Sequence, residues 1–227
     1  MKQNLISRIA ISSCIVLLSG CGRIIDWGTN CFVQGEKIER ADIPHVYVRS
    51  IAVYDQFATI ARFDALWLAD DVKIAYANVY SMKFGKNEDR HNAFLRRQLE
   101  ENRHFISFYV LTPEKVSLGQ PRSKWGLFLL IGGNTYQPIQ LKKVELDPIY
   151  EKFFKNKYSG FKSAYHVKFD ACDSNDVPLL HPGVEGFGLI FRSVDYETRL
   201  DWAVSQQDQQ KECPIFKGNQ HKELGIN

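Results

Sequence analysis

Residues 124–146 read KWGLFLLIGGNTYQPIQLKKVEL. The first ten form an apolar run closed by Gly132-Gly133, and the last ten carry Ile139, Leu141 and Val144 among polar neighbours. Two strand-like runs joined by Gly-Gly-Asn spell a hairpin, because glycine and asparagine accept the positive φ that tight turns need. The same texture continues on both sides. HFISFYVL (104–111) precedes the hairpin. SAYHVKFDA (163–171) follows it, with Ala164, His166 and Lys168 on one face and Tyr165, Val167 and Phe169 on the other. FGLIFRSV (187–194) and ETRLDWAV (197–204) form a last pair, and HVYVRSIAV (45–53) is a first strand. FATIARFDALWL (57–68) fits periods of both 2 and 3.6 and is read as a strand. PIYEKFFKNKY (148–158) accommodates one or two helical turns. Several short strands with turn signals between them predict an antiparallel sandwich.

Two helices interrupt this pattern. DVKIAYANVYSMKF puts Val72, Ala75, Tyr76, Val79 and Met82 or Lys83 at spacings of three and four, with Asp70 as N-cap and Gly85 as stop. A second helix starts from Asn87 or Asp89 and has a stripe of Phe94, Leu95, Gln98 and Leu99 for burial. Arg96 with Glu100, and Arg97 with Glu101, are opposite charges four apart on its solvated side. The expected fold class is mainly β with some α: an antiparallel β-sandwich-like domain over 45–204, with an N-terminal helical pair at about 70–84 and 88–102. Residues 205–227 are Gln-rich and read as a polar tail.

The chain opens differently. Lys2 and Arg8 precede an apolar run from Ile9 to Leu18, followed by Ser19, Gly20 and Cys21. About ten apolar residues are too few to span a bilayer, which takes about 20. A basic head, a short apolar body and small residues at the end resemble a secretory signal. Leu18-Ser19-Gly20-Cys21 resembles the lipobox of bacterial lipoproteins; an ordinary secretory signal is the alternative. The resemblance implies cleavage before Cys21, lipidation of its thiol, a lipidated tether over 21–44, and anchoring to a membrane without spanning it. Gly22, where aspartate commonly marks inner-membrane retention in this class, implies the outer membrane, with the domain facing the periplasm.

The formal charge is +3. Residues 1–20 hold Lys2 and Arg8 and no acid, so the 207 residues after them carry about +1. Such a balance gives no electrostatic footprint for nucleic acid. An apolar content of 44%, with 13% aromatic, is enough to fill a core. Besides Cys14 and Cys21 the chain has Cys31, Cys172 and Cys213. Three thiols allow one disulfide and one leftover; Cys172–Cys213 is slightly favoured, since it would pin the tail to the domain. No CxxC or paired histidine suggests zinc.

Little in the chain names a chemistry. Asp170, Asp173, Asn175 and Asp176 crowd one loop and are weak candidates for a metal site, although the spacing is not that of an EF-hand and a solvated turn explains them as well. The six histidines are scattered; His104 could serve as a buried hydrogen-bonding hinge or a general base. Ser107, Ser123 and Ser163 lack a GxSxG elbow. Gly132-Gly133 and Gly183 to Gly188 match no phosphate loop. Trp67, Trp125 and Trp202 are expected in the core; exposed beside Tyr136, Tyr158 or Tyr165, they would mark a sugar- or protein-binding surface. No catalytic residue and no cofactor is nominated.

The segments SKWGLFLLIGG, IQLKKVEL, YEKFFKNKYSGFKSAYHVKF and LIFRSVDYETRLDW, after a helix pair leading into a strand, resemble a widespread group of uncharacterised bacterial lipoproteins over about residues 57–203. That resemblance carries no activity with it. The expected role is a non-enzymatic binding or scaffolding module for an envelope protein partner. The alternative is an envelope hydrolase or a metal-dependent enzyme. Carriage of an apolar ligand between the sheets is a third, weaker reading and would require a cavity.

Overall fold

A computed structural model describes residues 45–205 and Gln209. The expected signal and tether, Cys21, Cys31 and Cys213 lie outside the described residues, as does the tail apart from Ser205 and Gln209.

The strands are β1 (Val48–Asp55), β2 (Ala58–Trp67), β3 (Phe105–Pro113), β4 (Gly126–Ile131), β5 (Asn134–Tyr136), β6 (Gln140–Val144), β7 (Lys162–Asp170), β8 (Gly186–Arg192) and β9 (Glu197–Ala203). Helices α1 (Asp70–Lys83) and α2 (Glu88–His104) lie between β2 and β3, and α3 (Pro148–Phe154) between β6 and β7. Among the described residues the strands form two antiparallel sheets, ordered β1-β2-β3-β7-β6 and β5-β4-β8-β9. Phe63 of β2 stacks on Phe191 of β8 at 3.9 Å, and Phe108 of β3 meets Trp202 of β9 at 5.4 Å. These contacts join the sheets face to face, so the expected sandwich with its helical pair is what the chain forms.

The five-stranded sheet buries both faces. Ile106, Phe108 and Val110 of β3 point into the sandwich. Ser107, Tyr109 and Leu111 alternate with them toward the helices, and the register sets Ser107 opposite Lys168 and Tyr109 opposite His166. Trp67, Trp125 and Trp202 are all buried, as is Tyr165. The surface those aromatics might have formed is therefore not built from them. Aromatic packing also fills the interior where an apolar ligand would have to lie.

Three local expectations need correction. Gly132 and Gly133, both at positive φ, do turn a hairpin, but its second strand is β5. Pro138, with no N–H to give a ladder, follows β5, and β6 then pairs with β7 in the other sheet. Asp70 is the first residue of α1 and not its N-cap; Ala69 caps it with no side-chain bond. Asp70 and Asp71 still place negative charge at the positive end of the helix. No residue of α2 is fully buried: Phe94, Leu95, Gln98 and Leu99 do share its inner face but are only partly buried.

Gly85 ends α1 as expected. The Lys86 N–H donates to the Ser81 carbonyl at 2.9 Å and the Gly85 N–H to Met82 at 3.4 Å, with Gly85 at φ +58°. This is the Schellman arrangement, in which a left-handed residue reverses the chain. Asn87 then caps α2, its side chain accepting from the Arg90 N–H at 3.2 Å. Because an L-residue costs about 1–2 kcal/mol in the left-handed region, Gly85→Ala is expected to lower unfolding stability by about 1 kcal/mol. A urea titration checks this.

Candidate functional site

The helix-facing side of the larger sheet holds the cluster of greatest chemical interest. Lys73 projects from the first turn of α1 and is 1% exposed. Its ammonium donates to Glu101 Oε2 at 2.7 Å, and Lys168 reaches Glu101 Oε1 at 2.5 Å. One carboxylate on α2 thus joins a buried cation on α1 to a strand cation on β7. Around it stand His166, Tyr109, Tyr150 and Tyr76. Tyr109 lies 5.0 Å from the His166 ring and 4.8 Å from Tyr150, which stacks on Tyr76 at 4.4 Å. The Tyr76 hydroxyl donates to Asp147 Oδ2 at 3.4 Å.

Burial governs the electrostatics here. It lowers the Lys73 amine below its ordinary value, against the pull of Glu101. It would raise Glu101, but the hydrogen bonds and charges of Lys168 and Lys73 outweigh it and hold the carboxyl at about 2. Burial, helped by the Lys168 charge, lowers His166 to about 4, so its ring is neutral at physiological pH. Burial also raises Tyr109 to about 12 and pushes Tyr76 and Tyr150 upward. His166 Nε2 and Ser107 Oγ are buried with no hydrogen-bond partner in the structure.

Displaced pKa values in a cleft would point to catalysis. Two recesses lie elsewhere on the described residues. A recess of about 90 Å³ is lined by Trp67, Asp70, Asn102, Arg103 and Leu180, and one of about 230 Å³ by Glu114, Lys143, Glu145, Tyr158 and Phe161. Lys73, Glu101, His166 and Lys168 line neither. As it stands, the arrangement locks the helical pair to the sheet. A second ion pair lies within the sheet itself: fully buried Asp64 of β2 accepts from Lys162 of β7 at 2.7 Å. Lys162 also donates to the Lys157 carbonyl, and Lys157 to Ser50 Oγ.

The residues singled out in the sequence are not brought together. Asp173 Oδ1 accepts from the N–H groups of Asn175 and Val177 at 2.8 and 2.9 Å, which holds its carboxyl below the usual range and makes the loop a self-capped turn. Asp170 and Asp176 are exposed, Asp176 at φ +57°. Among the described residues no three His, Cys, Asp or Glu side chains converge as metal ligands. Cys172 is engaged in a disulfide, and Cys213, expected as its partner, lies outside the described residues. The His104 carbonyl accepts from the Ala171 N–H, joining the end of α2 to the end of β7, and its ring Nε2 lies 3.6 Å from Glu100. Ser163 is buried, and the single Ser123 hydroxyl proton has the carbonyls of Ser117 and Trp125 within hydrogen-bonding reach. Among the described residues no helix is long and apolar enough to cross a membrane.

The sequence reading passed over Lys73, because a lysine in an apolar stripe reads as outward. A signal was there: Lys73, Ala77 and Ser81 repeat at four-residue spacing, all are buried, and two are small enough to bring α1 close to its neighbours. The reading also missed the exposed apolar tips. The outer part of β1–β2 is a two-stranded ribbon, since β3 pairs only with Asp64–Trp67 of β2. Phe57 at its tip is fully exposed, and Tyr54 stands close by in the ribbon. The β8–β9 turn, carrying exposed Val194, adjoins it through the hydrogen bond of Tyr196 to Asp55.

The sequence matches no protein-family model and no curated protein, and the fold matches no solved structure.

Proposed function

We propose that this chain is an envelope lipoprotein, anchored through a lipid on Cys21, whose domain works as a non-enzymatic binding or scaffolding module. The outer membrane, on its periplasmic side, is the proposed location. One contrast carries the binding reading: the buried Lys73–Glu101–His166–Lys168 cluster lines neither recess, whereas apolar side chains are exposed at the ribbon tip. Isolated exposed apolar residues are ordinary on a protein surface, but several at one protruding end suit docking to another protein. The Leu18–Cys21 motif supports the anchor.

The primary experiment is crosslinking in intact cells followed by mass spectrometry of what accompanies the membrane-extracted protein. One dominant envelope partner supports the module. Absence of any partner, with the protein at the membrane, argues against it and leads to hydrolase and ligand screens. Two substitutions sharpen the test. Cys21→Ser is expected to release the protein from the membrane fraction; retention at the wild-type level would defeat the anchor. Phe57→Ser is expected to abolish the dominant crosslink while shifting the melting temperature little, because the ring is fully exposed.

A further inference from the structure

The turn between α1 and α2 gathers apolar side chains and cations at one protruding point. Met82 is 49% and Phe84 56% exposed. The reversal at Gly85 follows directly after Phe84, whose ring leans on Tyr80 at 4.5 Å. Tyr80 stacks on Phe94 at 4.7 Å. The Lys86 ammonium sits 4.4 Å from both ring centres, and that of Lys83 lies 5.3 Å from Phe84.

The cations here have no carboxylate partner among the described residues. The four-apart pairs expected on α2 do not form. Glu100 turns to Arg103 and His104, and Glu101 is taken by Lys73 and Lys168. Among the described residues no carboxylate pairs with Lys83, Lys86, Arg90, Arg96 or Arg97. Over residues 83–97 these five face only Glu88 and Asp89 as acids.

We propose that this tip is a contact surface for anionic lipid headgroups. Protruding Met82 and Phe84 would enter the interface while the unpaired lysines and arginines meet phosphates. The tip lies on neither recess, so it suits a deformable charged surface better than an acidic helix, which would need a groove. Reach is no obstacle: residues 21–44 span at most about 80 Å when fully extended. Only that reach uses the anchor reading.

The test is amide hydrogen exchange on the full chain reconstituted in vesicles. Retention of the chain on each vesicle type is scored in parallel by flotation, so failure here is separable from failure of lipidation. Exchange over residues 80–97 is expected to slow several-fold in phosphatidylglycerol–phosphatidylcholine vesicles and not in pure phosphatidylcholine. The effect should fade between 0.1 and 1 M salt, as the screening length falls from about 10 to about 3 Å. Lys83→Gln/Lys86→Gln and Phe84→Ser, all at exposed or half-exposed positions, should remove it while leaving the melting temperature near wild type. No slowing in the anionic vesicles overturns the proposal, as does equal slowing in pure phosphatidylcholine or in the variants. Slowing by added polyglutamate as strong as that by vesicles also overturns it, and reassigns the tip to an acidic polypeptide.

Discussion

Glu101→Gln is expected to lower unfolding stability by about 3 kcal/mol, whereas Lys73→Met should cost far less. The asymmetry follows from the geometry. Glu101 holds two ammonium groups, one of them on a side chain 1% exposed. Removing the carboxylate's charge strands Lys73 in the interior, and breaking a buried ion pair in this way typically costs about 3–5 kcal/mol. Removing Lys73 leaves Glu101 with Lys168 and exchanges a desolvated amine for an apolar side chain of similar length, a replacement that is often neutral. Chemical denaturation of both variants is the check. Equal losses would mean that the cluster does not hold α1 to α2 and β7 as described. A melting transition that splits in Glu101→Gln would mean that the helical pair comes loose on its own.

The second large effect is acid lability. In the unfolded chain His166 takes a proton near its ordinary 6.5; in the folded protein burial delays this to about 4. Between those values the unfolded state binds more protons, so stability falls as pH drops through that window and levels off below it. Each pKa unit corresponds to about 1.4 kcal/mol, so the full window is worth about 3 kcal/mol at most. Glu101 acts in the same direction lower down. Its ordinary 4.5 is held at about 2, so the stability its charge contributes is present above 4.5 and lost as pH falls toward 2. Unfolding free energy should therefore decline from pH 6.5 downward without a plateau near 5. His166→Gln should flatten the upper part of the curve and leave the lower part. A wild-type curve that is level between pH 6.5 and 4 would rule out the buried neutral imidazole.

Strand positions and both long helices were legible because period and punctuation agree: β7 alternates, Gly85 stops α1, and Asn87 starts α2. Sheet assignment was less legible. The Gly132-Gly133 turn announces a hairpin, but only the length of β5 and the placement of Pro138 show that the next strand crosses to the other sheet. The polar cluster was not legible at all. Lys73, Glu101, His166 and Lys168 are scattered over 96 positions of sequence and converge only because α1, α2 and β7 stack. The local four-apart rule pointed the wrong way, since Glu101 finds better-desolvated partners inward than Arg97 offers at the surface.

The way the chain enters the fold has a mechanical consequence. β1 follows at once on the residues that lead in from the N-terminus. Its start is sewn to the last strand: Trp202 Nε1 donates to the Tyr47 carbonyl at 2.9 Å, and Arg49 Nε to that of Asp201 at 3.0 Å. From there β1 runs antiparallel to β2 from Val48 through Asp55. A pull directed along the axis of β1 would shear its hydrogen bonds to β2 together and not open them one after another. Under the proposed anchor, a load along β1 would fall on its whole ladder at once, in the strand that ends at the exposed tip.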